Sequence, residues 1–286
     1  MKNNKVLFLT GTDGEFDKLW LEVLSFFRKS GLKLIKTLLF SFLLGLSHYV
    51  FSQNRDSTKV TRDFAGAISV TNNGISLIPS FTLGKPAVTF DMAMGKRKLS
   101  FEPEFQFALE GKPWGFFFWW RYKLVNTSKF FVRIGAHPAL SFSTLLVSTN
   151  GAPKETITAQ RYLAGELSPN YFLAKNISIG MYYLYGYGID NEYVRNTHLL
   201  MFNINFSNIK LSKQFILGYM PQIYYLRINN NNGFNFTSSL TLARRNFPLS
   251  LSAFINKTIQ SNIPGIKNFI WNASLIYTFN KKYVPQ

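Results

Sequence analysis

Residues 99–124 read LSFEPEFQFALEGKPWGFFFWWRYKL, two alternating segments joined by the turn Glu110–Pro113. In the first segment the apolar positions recur every second residue, at Leu99, Phe101, Pro103, Phe105, Phe107 and Leu109. In the second segment one face carries Phe116, Phe118, Trp120, Tyr122 and Leu124. Polar residues such as Glu102, Glu104 and Arg121 fall on the opposite faces. A period of two is the repeat of a β-strand, so the stretch predicts a hairpin whose two faces meet different surroundings.

Segments of the same kind occupy most of the remaining chain. We read them at Phe64–Thr71, Ile75–Leu83, Val88–Met94, Phe130–Ser143, Ile157–Leu173, Ile177–Gly188, Thr197–Ser207, Leu211–Arg227, Phe234–Arg244, Phe247–Lys257 and Phe269–Phe279. This repetition predicts an all-β fold, a transmembrane antiparallel up-and-down β-barrel with lipid outside and a polar lumen. Bacterial barrels have an even number of strands. Removing the weakest segment, Phe64–Thr71, leaves about twelve strands, with fourteen as the alternative.

The connections between these segments alternate in length. Long connections are expected at Ser261–Lys267, Ile228–Gly233, Ile189–Asn196 and Leu145–Glu155. Tight ones are expected at Arg244–Asn246, Asn208–Lys210, Ala174–Lys175 and Asn126–Ser128. Outer-membrane barrels have short periplasmic turns and longer outer loops. The pattern therefore predicts that the C-terminus lies on the periplasmic side.

The first part of the chain is typical of an exported protein. Lys33 and Lys36 precede the short apolar run Thr37–Ser47, which predicts a signal peptide over residues 32–52, with an anchoring helix as the alternative. Residues 1–31 would then be an over-extended gene start or an unstructured extension, with an amphipathic helix around Asp17–Arg28 as the alternative. The remaining divisions are a periplasmic segment with a short hairpin at 53–74, the barrel at 75–280 and a tail at 281–286.

Composition narrows the class of protein. The chain has no cysteine, 47% hydrophobic and 17% aromatic residues, and a formal net charge of +18. The absence of cysteine excludes thiolate metal sites, cysteine nucleophiles and disulfides. Many of the basic residues lie at predicted turns, as in Lys96–Lys98, where they suit anionic lipid headgroups and lipopolysaccharide. The expected partners are therefore outer-membrane lipids rather than nucleic acid.

The last predicted strand carries the most specific pattern. Its outward set is apolar and includes Trp271, Tyr277 and Phe279. This resembles the terminal-strand signal of Gram-negative outer-membrane β-barrel proteins. The resemblance implies an outer-membrane location and a contact with the barrel-assembly machinery. It identifies a class and no particular family, and the tail after Phe279 departs mildly from the pattern.

Five prolines conflict with the simple strand assignment. Pro79, Pro103, Pro138, Pro169 and Pro221 lie inside predicted strands, all in the outward phase. A proline has no backbone N–H, so it interrupts a hydrogen-bond ladder.

Charged residues in the inward phase form one candidate cluster in the lumen. Its members are Glu102, Glu104, Arg121, Lys123, Arg133, His137 and Glu166. Hairpin geometry places Glu102 roughly opposite Arg121, and such a pair contributes about 0.2–1 kcal/mol. The cluster fits either a charge ladder that stiffens a narrow barrel or a constriction that selects small polar solutes. Phe117 and Trp119 also point inward, where they are candidates for stacking on a ligand.

These patterns predict a narrow channel, porin-like, or a structural barrel for small polar solutes, with a subunit of an envelope complex as one alternative. The other alternative is a lipid-modifying hydrolase with His137 as base and Ser141 or Ser143 as nucleophile. That chemistry also needs an orienting acid and an oxyanion hole, and no hydrolase motif surrounds His137. The three histidines do not lie at metal-ligand spacing, and no cofactor motif is present.

Overall fold

Twelve long strands account for most of the chain. The computed structural model describes residues 62–149, 152–190 and 194–283. The strands are β1 Arg62–Thr71, β2 Ala87–Lys96, β3 Leu99–Ala108, β4 Pro113–Asn126, β5 Phe130–Thr149, β6 Ala152–Ala174, β7 Ile177–Gly188, β8 Asn196–Lys210, β9 Phe215–Ile228, β10 Asn231–Arg244, β11 Leu249–Ser261 and β12 Phe269–Tyr283. The predicted extension, signal peptide and cleavage site lie outside the described residues. None of the helical structure within these ranges has the length and apolar composition needed to cross a membrane.

The strands form a closed antiparallel barrel. Each strand pairs with the next along the chain, and β1 pairs with β12 from Arg62↔Tyr283 to Thr71↔Ser274. Closure gives every strand a partner on both sides, which satisfies the backbone in a solvent that offers no hydrogen bonds. The predicted fold and the count of twelve strands are confirmed. We call the end of the barrel at Arg62 and Tyr283 the terminal end, and the opposite end the loop end.

At the start of the barrel, the segments that form strands differ from those predicted. The segment Phe64–Thr71, which the parity argument removed, lies within β1 and closes the barrel against β12. The prediction that the barrel starts at residue 75 is therefore wrong. Ile75–Leu83 is not a strand but contains the 3-10 turn Pro79–Phe81. Pro79 begins that turn, where its fixed φ is favourable and its missing N–H costs little.

Two loops predicted to be long are tight, because the strands beside them continue. β5 and β6 extend to Thr149 and Ala152, so most of the expected loop Leu145–Glu155 is paired strand. Ile228 and Asn231 are also paired, and Asn229, with a φ of 52°, turns the chain between them. The polar asparagine run there was read as a loop, but asparagine readily adopts the left-handed conformation of a tight turn.

The outer face of the barrel is an apolar belt. Its exposed side chains include Leu99, Trp120, Phe202, Ile223, Leu251, Phe269, Trp271 and Leu275. Aromatic rings on this face pair across strands, as in Phe101 with Trp120, whose centroids are 4.6 Å apart, and Phe105 with Phe116, at 5.3 Å. Each such pair contributes about 0.5–1.5 kcal/mol beyond its buried area. The period of two therefore segregates the apolar side chains to the outside of the closed sheet.

Four of the five prolines lie in strands and each interrupts one ladder. The pairing of β2 with β3 lacks two residue pairs beside Pro103, and the pairing of β4 with β5 lacks two beside Pro138. The same gap occurs between β6 and β7 at Pro169 and between β8 and β9 at Pro221. On its other side each proline is paired, for example Pro138 with Leu163. The sheet thus tolerates each missing N–H by opening the ladder locally.

The connection between β1 and β2 folds into the lumen. We call residues 72–86 the first loop. Its side chains Leu77, Ile78 and Phe81 pack against a buried cluster on the inner wall. That cluster comprises Trp119, Ala139, Tyr162, Leu184, Val194, Leu199, Met201, Tyr224, Leu226, Ile228 and Ile263. The prediction of a polar lumen is therefore wrong for the loop-end part of the barrel. There the first loop covers apolar side chains that face inward.

Candidate functional site

A buried carboxylate, that of Glu166 on β6, organises the charged part of the lumen. Its side chain is fully buried, and Arg121 on β4 contacts both of its oxygens. The Arg121 Nε lies 2.8 Å from Oε1 and the Nη2 lies 3.2 Å from Oε2. Tyr182 donates a further hydrogen bond to Oε2 at 3.0 Å. Such two-point contacts are among the stronger polar interactions in proteins.

Arg121 also contacts a second carboxylate. Its Nη1 lies 2.5 Å from Glu102 Oε2, and Ser100 donates to the other oxygen of Glu102 at 2.6 Å. The guanidinium carbon lies 4.2 Å from the ring centroid of Trp119. The charge of Arg121 is therefore shared between two carboxylates, in contact with an aromatic ring.

The register explains how these side chains meet. Arg121 is directly opposite Ser100, and Glu102 is opposite Trp119, so the Glu102–Arg121 contact is diagonal rather than direct. Towards β6, Arg121 is opposite Gly135 of β5, which is in turn opposite Glu166. A Cβ on Gly135 would lie 3.0 Å from Arg121 Cγ and 3.0 Å from Glu166 Cγ. Glycine therefore lets two residues on strands that are not neighbours reach each other.

Arg133 and Lys123, which lie nearer the terminal end, make fewer contacts with the carboxylates than Arg121 does. The Nε of Arg133 lies 3.3 Å from Glu166 Oε1, yet it has no hydrogen bond of acceptable geometry. This is a charge contact rather than a hydrogen bond. Lys123 is opposite Arg133 and forms no ion pair with any residue within the described ranges.

His137 lies among aromatic rings. Its ring centroid is 3.8 Å from that of Trp119 and 5.7 Å from that of Phe117. Its Nδ1 lies 3.3 Å from the carbonyl oxygen of Pro138. Within the described residues, His137 forms no hydrogen bond with Ser141 or Ser143. The Ser143 hydroxyl instead forms a hydrogen bond with the Thr158 hydroxyl, at 2.9 Å. The His–Ser arrangement of the hydrolase alternative is not assembled here.

Two further acidic residues face each other beside the cluster. Glu104 on β3 is directly opposite Asp91 on β2, and both are inward-facing. Gln106 donates a hydrogen bond to Glu104, but no basic side chain of the described ranges lies within ion-pair distance of either carboxylate. Asp91 was missed in the sequence analysis. Its place among Val88, Phe90, Met92 and Met94 puts it in the inward phase of its segment, which is the signal that could have identified it.

Three of these residues separate two spaces in the lumen. A space of about 590 Å³ is lined mainly by inward-facing residues of β1 to β4 and β12. A cavity of about 320 Å³ lies under the first loop. Glu104, Trp119 and Arg121 line both spaces. His, Asp and Glu side chains of the described ranges do not gather in any group of three or more that could hold a metal ion.

Of the aromatic residues of the last strand, Phe279 borders the larger space, whereas Trp271 and Tyr277 do not line either space. Trp271 and Tyr277 point outward and are 52% and 43% exposed. The ring of Phe279 lies 5.6 Å from that of Phe64 and covers Gly66 on the neighbouring strand. Recognition of these residues by assembly machinery stays a prediction.

Comparisons with known proteins concern the shape of the chain only. The sequence matches no protein-family model and no curated protein. Similar solved structures include the KdgM porin in complex with disordered oligogalacturonate, with a TM-score of 0.44, 12% identity, and coverage of 77% of this chain and 99% of that one. LpxR from Salmonella typhimurium has a TM-score of 0.44 and 11% identity, and the match covers 75% of this chain and 99% of that one. An outer-membrane channel from Pseudomonas putida F1 has a TM-score of 0.42 and 10% identity, with coverage of 80% of this chain and 100% of that one. These values are too low to assign a family or a function.

The class of the protein follows from its own geometry. A closed antiparallel barrel of twelve strands carries large apolar side chains exposed on its outer face and ion pairs inside. An apolar belt of this extent is stable in hydrocarbon, where only helices and closed barrels satisfy the backbone. The molecule is an outer-membrane β-barrel protein, and the outer membrane is its location. At its loop end the first loop packs inside the lumen, against the buried cluster.

Proposed function

We propose that the protein is a narrow, gated passage for small polar solutes across the outer membrane. The first loop is the gate, and the constriction at Glu104, Trp119 and Arg121 is the point at which solutes are selected. The observation that carries this proposal is that the first loop lies over a cavity, which shares its lining with a larger space on the other side of the constriction.

The attachment of the first loop to the wall is light enough to be reversible. Trp114 Nε1 donates to Phe81 O at 2.7 Å, and the Tyr224 hydroxyl donates to Leu77 O at 3.2 Å. The ring of Phe81 meets that of Tyr162 edge to face, with centroids 5.0 Å apart. A net hydrogen bond contributes about 0.5–1.5 kcal/mol. These contacts hold residues 75–82 in place without a covalent or ionic link, and the base of the loop adds one exposed ion pair, from Lys85 Nζ to Glu110 Oε1 at 2.5 Å.

The base of the first loop is closed independently of its tip. Gly74 O accepts hydrogen bonds from Leu83 N at 3.0 Å and Gly84 N at 3.1 Å. Gly74 N donates to Lys85 O at 2.8 Å. The tip, residues 75–82, is thus an excursion whose two ends already meet, so Gly74 and Leu83 are close enough to be joined when the tip is deleted.

Polar groups on β10 and β11, which we call the far wall, favour a second, hydrated arrangement of the lumen. Asn235 and Thr237 on β10 are 0% exposed, and their side-chain polar atoms lack hydrogen-bond partners, as does Oδ1 of Asn256. Each buried unsatisfied group costs about 1–3 kcal/mol. Tyr224, which is opposite Asn235, bonds to the first loop. Withdrawal of the loop would admit water to this region and remove part of that cost.

Planar-bilayer conductance tests the gate. We expect low conductance for the wild type and a clear increase after deletion of Ile75–Thr82. Phe81→Asp, which places a charge in the apolar cluster, should raise the open fraction. Ser80→Asp, at an exposed position of the same loop, should leave it unchanged. A deletion variant that retains its folded β-sheet signal and yet conducts no better than wild type would refute the proposal.

A further inference from the structure

The cavity under the first loop combines aromatic walls with a few polar groups. Its volume is about 320 Å³, enough for a small organic molecule. Phe81, Phe117, Trp119 and Tyr162 contribute rings to its wall. The polar side chains that reach it include Glu104, Gln106, Arg121, His137 and Ser141. Sites for small molecules are typically of this kind, mostly apolar with a few placed polar groups.

The charge of Arg121 is already used by the protein. Its guanidinium contacts the carboxylates of both Glu102 and Glu166. Glu104 has no cation partner within the described ranges and bonds only to the neutral amide of Gln106. Glu104 is therefore an acidic group at the cavity without a basic partner of its own.

His137 supplies a second acceptor. Its side chain is 6% exposed and lines the same cavity. Because a carbonyl oxygen only accepts, the contact of Nδ1 with Pro138 O puts the ring proton on Nδ1, and in the neutral ring Nε2 is then an acceptor. Nε2 has no hydrogen-bond partner among residues 62–149, 152–190 and 194–283. An acceptor without a donor at the wall of a cavity is suited to a ligand that brings one.

The sign of the charge around the cavity runs against that of the whole chain. The chain carries a formal net charge of +18. Four inward-facing carboxylates lie near the constriction, those of Asp91, Glu102, Glu104 and Glu166. The inward-facing basic groups beside them are Arg121, Arg133 and Lys123, so the carboxylates outnumber the basic groups by one. In a chain so rich in lysine and arginine, an acidic excess at the constriction favours cations there.

We propose that this cavity binds a small organic monocation, a protonated amine attached to an apolar or aromatic body. The ammonium donates to Glu104 and His137, and the body lies against the aromatic rings. The inference rests on the proposed function, because it names the class of solute for the same lumen. It adds a choice that the proposed function leaves open, namely cations over anions and neutral molecules.

Equilibrium binding tests the choice of charge. Benzylammonium, benzyl alcohol and benzoate share a ring and differ in charge. Their affinities are measured by titration calorimetry with the refolded wild-type barrel, whose cavity keeps its complete lining. Each titration is repeated at longer intervals between injections until the isotherm no longer changes, so that passage through the gate does not limit binding. We expect benzylammonium to bind at least about tenfold more tightly than either of the other two. Equal affinities, tighter binding of benzoate, or no binding of benzylammonium would overturn the inference.

Matched substitutions assign the preference to the cavity. Glu104→Gln removes the charge and keeps a similar shape, so the preference for benzylammonium should fall by about tenfold or more. Glu155→Gln, at an exposed residue of β6, should leave it unchanged. If Glu104→Gln fails to fold, His137→Phe keeps a ring and removes Nε2, and it should weaken benzylammonium binding several-fold. Retention of the full preference in a folded variant of either residue would contradict the proposed site.

The two proposals fail in different measurements. Failure of the gate appears as unchanged conductance after the deletion, whatever the cavity binds. Failure of the cation site appears as a missing charge preference at equilibrium, even where the deletion conducts.

Discussion

Arg121 and Glu166 lie on β4 and β6, with β5 between them, and their side chains join across Gly135 in a two-point ion pair of 2.8 and 3.2 Å. Adjacent strands of a sheet are roughly 4.8 Å apart, so residues two strands apart meet only when both side chains are long and the one between is small. This pair therefore depends on three strands at once. It fixes the position of Arg121, a residue of the constriction, relative to β6.

A side chain at Gly135 should separate this pair. Gly135→Val places atoms where a Cβ alone already lies 3.0 Å from both Arg121 Cγ and Glu166 Cγ. We expect a loss of about 1–3 kcal/mol in unfolding free energy, as is usual for overpacking. Gly165→Ala is the matched control, because its Cβ would meet only Gly135 O, at 3.8 Å. Urea unfolding of the refolded barrel measures both. A loss no larger for Gly135→Val than for the control would contradict the role of Gly135.

Removal of the arginine should be more costly than removal of an exposed cation. Arg121→Met leaves the buried carboxylate of Glu166 without its main partner, and loss of one member of a buried pair costs about 3–5 kcal/mol. Lys112→Met breaks the exposed contact with Glu155, at 2.6 Å, and should cost little, because solvent and salt screen an exposed pair. Urea unfolding in micelles compares the two variants. Glu166→Gln provides a second measurement if Arg121→Met does not refold, and losses near zero for both would refute the structural importance of the pair.

One hydroxyl links the first loop to the far wall. The Tyr224 hydroxyl donates to Leu77 O and accepts from Asn256 Nδ2, at 3.2 and 2.8 Å. Tyr224→Phe removes both bonds and should cost about 1–3 kcal/mol. It should also speed hydrogen exchange in the first loop. Tyr225→Phe, on the outward face of the same strand, serves as the control, and equal exchange in the two variants would contradict this link.

An ion pair at the loop end gives a prediction about pH. Arg161 Nε and Nη2 contact the carboxylate of Asp190 at 2.8 and 2.7 Å, and the Arg161 backbone N–H donates to it at 3.0 Å. These bonds lower the pKa of Asp190 from 3.8 to about 2. Because the folded pKa lies below the unfolded value, the contact stabilises the protein above pH 3.8, and this contribution is lost as the pH falls towards about 2.

An NMR titration of the aspartate side-chain carbons measures that pKa directly. We expect Arg161→Gln to raise the pKa of Asp190 back towards 3.8, because it removes the two side-chain donors. An unchanged titration in that variant would show that the guanidinium is not the cause.

Local patterns in the sequence were sufficient for the architecture. A strict period of two across segments such as Leu99–Leu109 and Phe269–Phe279 predicts which side chains face lipid, because alternate residues of a strand point to opposite faces. The same phase predicts that Glu102, Arg121 and Glu166 face inward. Parity then leads to twelve strands, and this number is confirmed.

The start of the barrel shows the limit of that method. Ile75–Leu83 alternates well enough to be read as a strand, and Phe64–Thr71 is shorter and less apolar. Closure of the barrel requires a strand that pairs with both β12 and β2, and residues 62–71 meet that requirement. Pairing partners far apart in sequence cannot be deduced from a single segment, so the weaker pattern was the true strand.

The sequence by itself determined the class of this protein and the direction of nearly every strand side chain, because alternation is a local property that any segment expresses alone. The tertiary structure decided what fills the lumen. Whether an apolar run such as Leu77–Phe81 faces lipid or packs inside depends on the walls that surround it, and whether Arg121 meets Glu166 depends on the small residue between them. Both are relations among strands brought together only when the barrel closes.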